Sequence, residues 1–337
     1  IIFNYNMSEN IFISIIIPNY NKGPFIIETL NSLKNQTYKF WEAIIIDDCS
    51  TDDSFEIIKK FQLKCENIKI ISSSKKHKGA SACRNIGIKK SIGKYIMFLD
   101  SDDLVTPDCL TSRLKIFSTY PDYDFIVFPT GTFFNKIGDN AYIWSPTSKN
   151  FLVSFLKHDV KWTISSPLWK KSALNKLNGF DEDYTRLQDV ELHTRALLNP
   201  TFRFKVFPDY IADNFYRINE KRKVENTEKQ LEIIIAGHFT YIAKISSILN
   251  VESHKNAIKV SLFVLMNQIN YASVKNKISA EVLENFEKTI KSFIYENSNI
   301  FKTSDWFYFK IYNIIYRLGF WRIKGYNFIM KTIFSII

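Results

Sequence analysis

Three carboxylates in four residues close the string Tyr95-Ile96-Met97-Phe98-Leu99-Asp100-Ser101-Asp102-Asp103. Acids this close repel one another, and a divalent cation or a bound phosphate–metal complex offsets that repulsion. Hard oxygen ligands suit Mg2+ or Mn2+ better than Zn2+. A solvated acidic turn, with Ser101 or Asp103 capping the next helix, is the bland alternative. Two further polar clusters also follow apolar runs: Pro18-Asn19-Tyr20-Asn21 and Asp47-Asp48.

The elements that must position these clusters alternate between two periods. Residues 11–17, 41–46, 68–72, 94–99 and 123–128 are apolar runs of strand length, which predicts strands buried on both faces. Between them, residues 24–36, 52–61, 80–90 and the segment after Pro107 carry helical patterns, with Asp52 and Asp53 suited to a helix N-terminus. Strand, helix, strand, helix implies right-handed crossovers and a doubly wound, mostly parallel, Rossmann-like α/β sheet. Such sheets bind ligands outside the carboxyl ends of their strands, where all three clusters fall, so one crevice is expected. Residues 150–216 are mixed, with strand-like segments at 163–168 and 202–207. Residues 227–249, 253–271 and 279–295 predict a small helical bundle.

Four strings occur in an order and spacing that resemble the family-2 glycosyltransferases of the GT-A fold, over about residues 11–217. They are Ile15-Ile16-Ile17-Pro18-Asn19-Tyr20-Asn21, Ile45-Ile46-Asp47-Asp48-Cys49-Ser50-Thr51-Asp52-Asp53-Ser54, Gly79-Ala80-Ser81-Ala82-Cys83-Arg84-Asn85-Ile86-Gly87-Ile88 and Phe98-Leu99-Asp100-Ser101-Asp102-Asp103. The resemblance implies a bacterial, non-processive, inverting transferase. Its GT-A domain would span residues 8–220, with a nucleotide-sugar half to about 130 and an acceptor half from 131, followed by a helical region over 221–337. It implies a nucleotide-sugar donor and Mn2+ or Mg2+. Pro18, Tyr20 and Asn21 would wall the base pocket, and Asp48 would accept the imide N–H of uracil. Cytosine offers an acceptor nitrogen there, so a UDP-sugar is favoured. Arg84 would reach the diphosphate with its fixed fork of donors. Asp100 and Ser101 would contact the donor, Asp102 would bind the metal, and Asp103 would be a second ligand or its support.

On the acceptor side, Gly179-Phe180-Asp181-Glu182 and Leu187-Gln188-Asp189-Val190-Glu191-Leu192 look like the family's Gly-Phe-Asp-Glu turn and its Glu-Asp pair. Gln188 replaces the first acid; Asp189, by resemblance the general base, is retained and is ionised at neutral pH, since a free aspartate titrates near 4. Phe215-Tyr216-Arg217-Ile218-Asn219 resembles the family's Tyr-Arg-x-His element, with Asn219 where histidine is common. Arg217 could then close over the leaving diphosphate, or belong to a surface charge run. The resemblance implies transfer to a hydroxyl of a glycan or lipid-linked acceptor in surface-glycan biosynthesis, such as lipooligosaccharide, O-antigen or capsule. A non-catalytic, membrane-associated nucleotide-binding or scaffold protein of the same fold is the alternative if Gln188 and Asn219 mark lost activity.

Composition bounds the remaining classes. The chain has 337 residues, 46% of them hydrophobic, with 10 Gly and 9 Pro, which excludes intrinsic disorder and fibrous repeats. Four cysteines without Cys-x-x-Cys spacing point to neither a zinc site nor a disulfide framework, and a reducing cytosol fits. No apolar run is long enough to span a bilayer and no signal peptide is evident, so a cytoplasmic protein is expected. The net charge of +11 allows nucleic acid, an anionic membrane or a phosphate-bearing substrate. Residues 306–337 hold Lys310, Arg317, Arg322, Lys324 and Lys331, many aromatics and no acid. That is the composition of an interfacial amphipathic helix on the inner face of the membrane, or of a helix packed on the body with a basic outer side. No motif supports nucleic-acid binding.

Overall fold

The computed structural model describes residues 11–72, 78–218, 227–275, 277–324, 326 and 330. They fall into two compact units. The first comprises Ile1–Thr147, Lys161–Asp183 and Arg195–Ile218, and the second Ser148–Val160, Tyr184–Thr194 and Asn219–Ile337. The helical unit therefore includes two stretches from before residue 220, so a single boundary there does not divide the chain.

The first unit is built on a seven-stranded sheet. In its interior, β1 (Ile13–Asn19) pairs in parallel with β2 (Trp41–Asp47) and β4 (Tyr95–Phe98). β3 (Ile68–Ser72) extends β2 in parallel. β6 (Phe125–Val127) and β10 (Phe204–Val206) pair in parallel beyond β9 (Pro167–Lys170), which runs antiparallel to both β4 and β6. The order is β10-β6-β9-β4-β1-β2-β3. β1, β2 and β4 occupy interior positions because their side chains are mostly apolar on both faces, as covering helices require, and the buried exceptions Ser14 and Glu42 bond to each other at 2.6 Å. Ile13, Ile15 and Ile17 pack with Ile26, Leu30 and Leu33 of α1 (Gly23–Lys34) and with Leu110, Leu114 and Phe117 of α4 (Cys109–Thr119). On the other face α3 (Ala80–Lys90) approaches so closely that a Cβ at Gly87 would lie 2.4 Å from a methyl of Ile16. α2 (Ser54–Gln62) completes the strand–helix alternation.

A second sheet of order β5-β11-β7-β8 joins β5 (Leu104–Val105), β11 (Asn214–Arg217), β7 (Thr130–Phe133) and β8 (Ile143–Trp144). The strand expected at 163–168 instead occupies Pro167–Lys170. Thr163, Ser165 and Ser166 are drawn into a buried polar network with Thr130 and Asn214, where hydroxyls meet at 2.7–3.1 Å. Beside it, Arg113 is fully buried. Its Nε and Nη2 donate to Asp213 at 2.6–3.1 Å, and Nη1 donates to the Ser165 carbonyl at 2.9 Å. Burial opposes the Arg113 charge, but the Asp213 carboxylate more than offsets this and raises its pKa. Removing one partner strands the other charge, so Arg113→Met is expected to lower stability by about 3–5 kcal/mol in chemical denaturation. A loss under about 1 kcal/mol would show the pair is not a structural tie.

The helical unit contains α5 (Phe151–Leu156), α8 (Thr227–Ser246), α9 (Glu252–Val274), α10 (Ala280–Glu296) and α11 (Thr303–Arg317). None of the described helices is long and apolar enough to cross a membrane. Here two histidines form a chain. His238 Nδ1 lies 2.9 Å from the Ile234 carbonyl and so carries its proton; His238 Nε2 must then accept from His158 Nδ1, 3.0 Å away. His158 Nε2 is left as a buried lone pair with no partner. Burial first, with Arg186 adding, depresses His238 to about 4, and burial likewise lowers His158, with His238 adding. Both rings are neutral in the native state, whereas the unfolded chain takes up protons near pH 6.5. Their contribution is therefore complete above about 6.5 and drains away as pH falls toward 4, at up to about 1.4 kcal/mol per pH unit for each ring. Urea midpoints should fall between pH 7 and 5, and His158→Phe combined with His238→Leu should flatten that slope.

Candidate active site

The three polar turns converge because β1, β2 and β4 are neighbours in one sheet and share a direction. At the end of β4, Asp100 is partly exposed, whereas Ser101, Asp102 and Asp103 are buried. Three cations from distant parts of the sequence answer them. Lys22, in the turn before α1, forms an ion pair with Asp102. Arg84 on α3 donates from Nη2 to Asp100 at 2.8 Å. Arg217 donates its backbone N–H to Asp103 at 3.0 Å and its Nε to the Asp102 carbonyl at 2.8 Å. The compensation is incomplete at Asp103: burial first, then the carboxylates of Asp100 and Asp102, raise its pKa well above the ordinary carboxylate range.

Two residues of this cluster are held by the protein's own groups. Arg217, expected over a diphosphate, is buried between the rings of Phe133 and Phe25, 4.4 and 5.0 Å from their centroids, with Nη2 held 2.7 Å from Glu28. A guanidinium so committed acts as a staple of the Asp102-Asp103 segment. Asp103, expected as a second metal ligand or its support, has one oxygen tied to the backbone of β11. Asn219 lies outside the described residues.

The turn after β1 is tied to the turn after β2. Asn19 Nδ2 donates to Asp47 at 2.8 Å and to the hydroxyls of Ser54 and Ser50 at 3.0 and 3.2 Å. Asn21, in the left-handed region at φ 51°, accepts the N–H of Thr51 at 2.7 Å while its own N–H reaches Ser50 Oγ. Tyr20 beside it is half exposed, and Pro18 lies on β1. Asp47 thus shapes the loop, and Asp48 beyond it is the acid of the second cluster that receives the next element. Its two oxygens accept the N–H groups of Lys78 and Gly79 at 2.9 and 2.7 Å. Gly79 has φ 87°, a conformation costly for any residue with a Cβ, so only glycine opens α3 here without strain. Burial, with Asp48 adding, pushes the nearby Cys83 thiol up to about 12, which keeps it neutral and rules it out as a nucleophile at physiological pH.

One positioning residue carried no signal of its role in the sequence. Asn85, next to Arg84, accepts the N–H of Phe180 at 2.8 Å and donates to the Phe180 carbonyl at 2.9 Å and to Glu182 at 2.8 Å. The preceding Gly179 has φ 68°, and a Cβ there would lie 2.3 Å from Asn85 Oδ1. The Phe180 ring then stands edge-on to Phe98 of β4 and 5.3 Å from the Arg84 guanidinium. Asn85 therefore fixes the ring against which Arg84 rests.

In the helical unit, α7 (Gln188–Leu198) opens on the expected base. Asp189 accepts its neighbour Val190's N–H at 3.0 Å. Gln188 Nε2 donates to the carbonyls of Tyr184 at 3.1 Å and Thr185 at 3.4 Å, a task that a carboxylate could not perform. Leu187 before it is held at φ 62°, which costs of order 1–2 kcal/mol for a branched side chain.

Residues 14–176 match the sequence profile of glycosyl transferase family 2. The chain carries a family 2 glycosyl transferase domain. It is 35% identical over 212 residues to an uncharacterized glycosyltransferase of Rickettsia felis, covering 56% of this chain and 34% of that one. It is 28% identical over 217 residues to the poly(ribitol-phosphate) β-N-acetylglucosaminyltransferase TarS of Staphylococcus aureus, covering 63% and 36%. The chain thus spans about a third of the length of these relatives, and 16% of that of a relative from Rickettsia bellii. The crystal structure of S. aureus TarS 1-349 with UDP-GlcNAc has a TM-score of 0.62 at 20% identity, covering 84% of this chain and 80% of that one. A mannosyltransferase from Pyrobaculum calidifontis, in complex with GDP-Man and Mn2+, has a TM-score of 0.54 at 14% identity, covering 91% of this chain and 87% of that one. These likenesses establish the GT-A fold of the domain.

Asn85→Ala removes three hydrogen bonds that join α3 to the Gly179 turn. It is expected to cost about 1–3 kcal/mol in urea denaturation. Glu182→Gln, which keeps an acceptor for Asn85, should cost much less; equal losses would contradict this reading.

Proposed function

We propose that the chain transfers one sugar from a UDP-linked donor to an acceptor hydroxyl, with inversion at the anomeric carbon. The observation that carries this reading is the convergence of Asp48, Arg84, Asp100 and Asp102 at the carboxyl ends of adjacent strands, with Lys22 beside them. Pro18, Tyr20 and Asn21 would wall the base, with Asp48 accepting the imide N–H of uracil. Asp100 and Ser101 would meet the ribose and the donor sugar, and Arg84 would orient Asp100 and face the diphosphate. That TarS was crystallised with UDP-GlcNAc supports a uridine donor.

Among the described residues no three His, Cys, Asp or Glu side chains gather as a cage for a metal ion. The donor chemistry nevertheless fits a hard divalent cation held by one protein carboxylate. Asp102 would supply an oxygen ligand beside two further acids, Asp100 and Asp103; the carboxylates of Asp100 and Asp102 add to burial in raising the pKa of Asp103. Asp103 and Arg217 would hold the Asp102 segment in place. Bound there, such a cation would offset the charge that grows on the departing diphosphate.

On the acceptor side, Asp189 would take the hydroxyl proton onto its carboxylate during attack. The name of TarS, a poly(ribitol-phosphate) β-N-acetylglucosaminyltransferase, supports a glycan acceptor; that this acceptor is a surface glycan or its lipid-linked precursor, met at the inner face of a membrane, is part of the proposal. Asp189→Asn is expected to lower the transfer rate about 10²–10⁴-fold while leaving calorimetric UDP-sugar binding intact. Asp102→Asn should instead weaken donor binding in the presence of Mn2+. Turnover retained in Asp189→Asn, or a wild-type protein that binds no nucleotide sugar from a screened panel, would overturn the assignment.

A further inference from the structure

α11 is apolar on two opposite sides. Phe309, Tyr312 and Tyr316 face inward and are buried, and Tyr312 Oη donates to Asn267 of α9 at 2.9 Å. On the opposite side Phe307, Ile311, Ile314 and Leu318 recur at spacings of four, three and four, which places them on one outward stripe. These residues are 62%, 37%, 51% and 71% exposed. A helix apolar all round belongs either in a core or against a second apolar phase.

The charge around the stripe indicates which phase. Past its end Phe320 and Ile323 continue the exposed apolar surface. Trp321 stacks on Tyr316 with centroids 5.9 Å apart, and Lys275 and Arg322 lie 5.9 and 5.4 Å from its ring. Lys310 and Lys324 are also exposed. The acid of α11 itself, Asp305, is buried 3.2 Å from Lys259, and Glu287 of α10 is paired with Arg317 and accepts from Asn313. Residues 306–337 contain no acid. Apolar side chains, an indole at one end and a cluster of cations are what a surface of anionic lipid headgroups over acyl chains recognises.

We propose that the outward stripe of α11, with Trp321, Lys275, Arg322 and Lys324, docks this chain on an anionic lipid surface. The inference rests on the reading that the acceptor is met at a membrane, and names the face that would bring it there. The test is flotation of the full chain with vesicles of phosphatidylcholine alone or mixed with phosphatidylglycerol. Binding to the mixed vesicles is expected to exceed that to phosphatidylcholine at least about ten-fold, since each cation near the surface adds about 1 kcal/mol. Phe307→Ser with Ile311→Ser and Leu318→Ser should abolish flotation, and Arg322→Glu with Lys324→Glu should reduce it at least about ten-fold. All five positions are exposed, so the variants should retain the wild-type melting transition and UDP-sugar binding in solution. Absent flotation of the wild type, flotation unchanged in either variant, or a wild-type dimer in light scattering that the serine variant dissociates would overturn the proposal. Lost vesicle binding with intact donor turnover counts against the docking face alone, whereas absent donor turnover with intact vesicle binding counts against the transferase reading.

Discussion

Negative charge at the end of β4 is the constraint around which the first unit is arranged. Asp100, Asp102 and Asp103 cannot share four residues without compensation, and none of it comes from adjacent positions in the chain. Lys22 arrives from the turn after β1, Arg84 from α3 and Arg217 from β11. Each therefore ties a different element to the same point. Arg217 also joins the small sheet to α1 through Glu28. The electrostatics and the tertiary structure are one arrangement here: loosening any cation would both free an acid and detach an element.

Much of this was legible in the residues. Apolar runs ended by Pro18, Asp47 or Asp100 mark interior strands and their mouths, because burial on both faces leaves few polar positions until the chain exits. The helical pattern of the bundle was equally plain. What pattern cannot convey is pairing across distance. Lys22 and Asp102 are separated by 80 positions, and nothing local distinguishes Lys22 from a solvated lysine. For Arg217 a motif carries residue type but not burial, and only Phe25 and Phe133 reveal its packing. β5 and β8, two residues each, are too short to show any period. Gln188 looked like a missing acid, whereas its carboxamide holds the turn before α7 with donors that an acid lacks.

The helical unit follows a different rule. Its buried polar groups form chains across helices: Asn270 of α9 donates to Asn313 of α11, which donates to Glu287 of α10. Such links fix the rotation of α11 about its axis and so decide which apolar residues turn outward. Tyr312 and Phe307 have similar composition and opposite fates for that reason. The aromatic wealth of the tail is thus partitioned by a few amides and one carboxylate rather than by hydrophobicity.

The antiparallel strand β9 also bears on how this chain reaches its native state. β1 through β4 come from one contiguous stretch ending at Phe98, but the partner that covers the free edge of β4 does not exist until Lys170 has been synthesised. For that interval a fully apolar strand presents unpaired backbone groups, the kind of template on which chains stick to one another. Any fragment that stops short of β9 carries this open edge permanently, so solubility, and not catalysis alone, sets how far the domain can be trimmed.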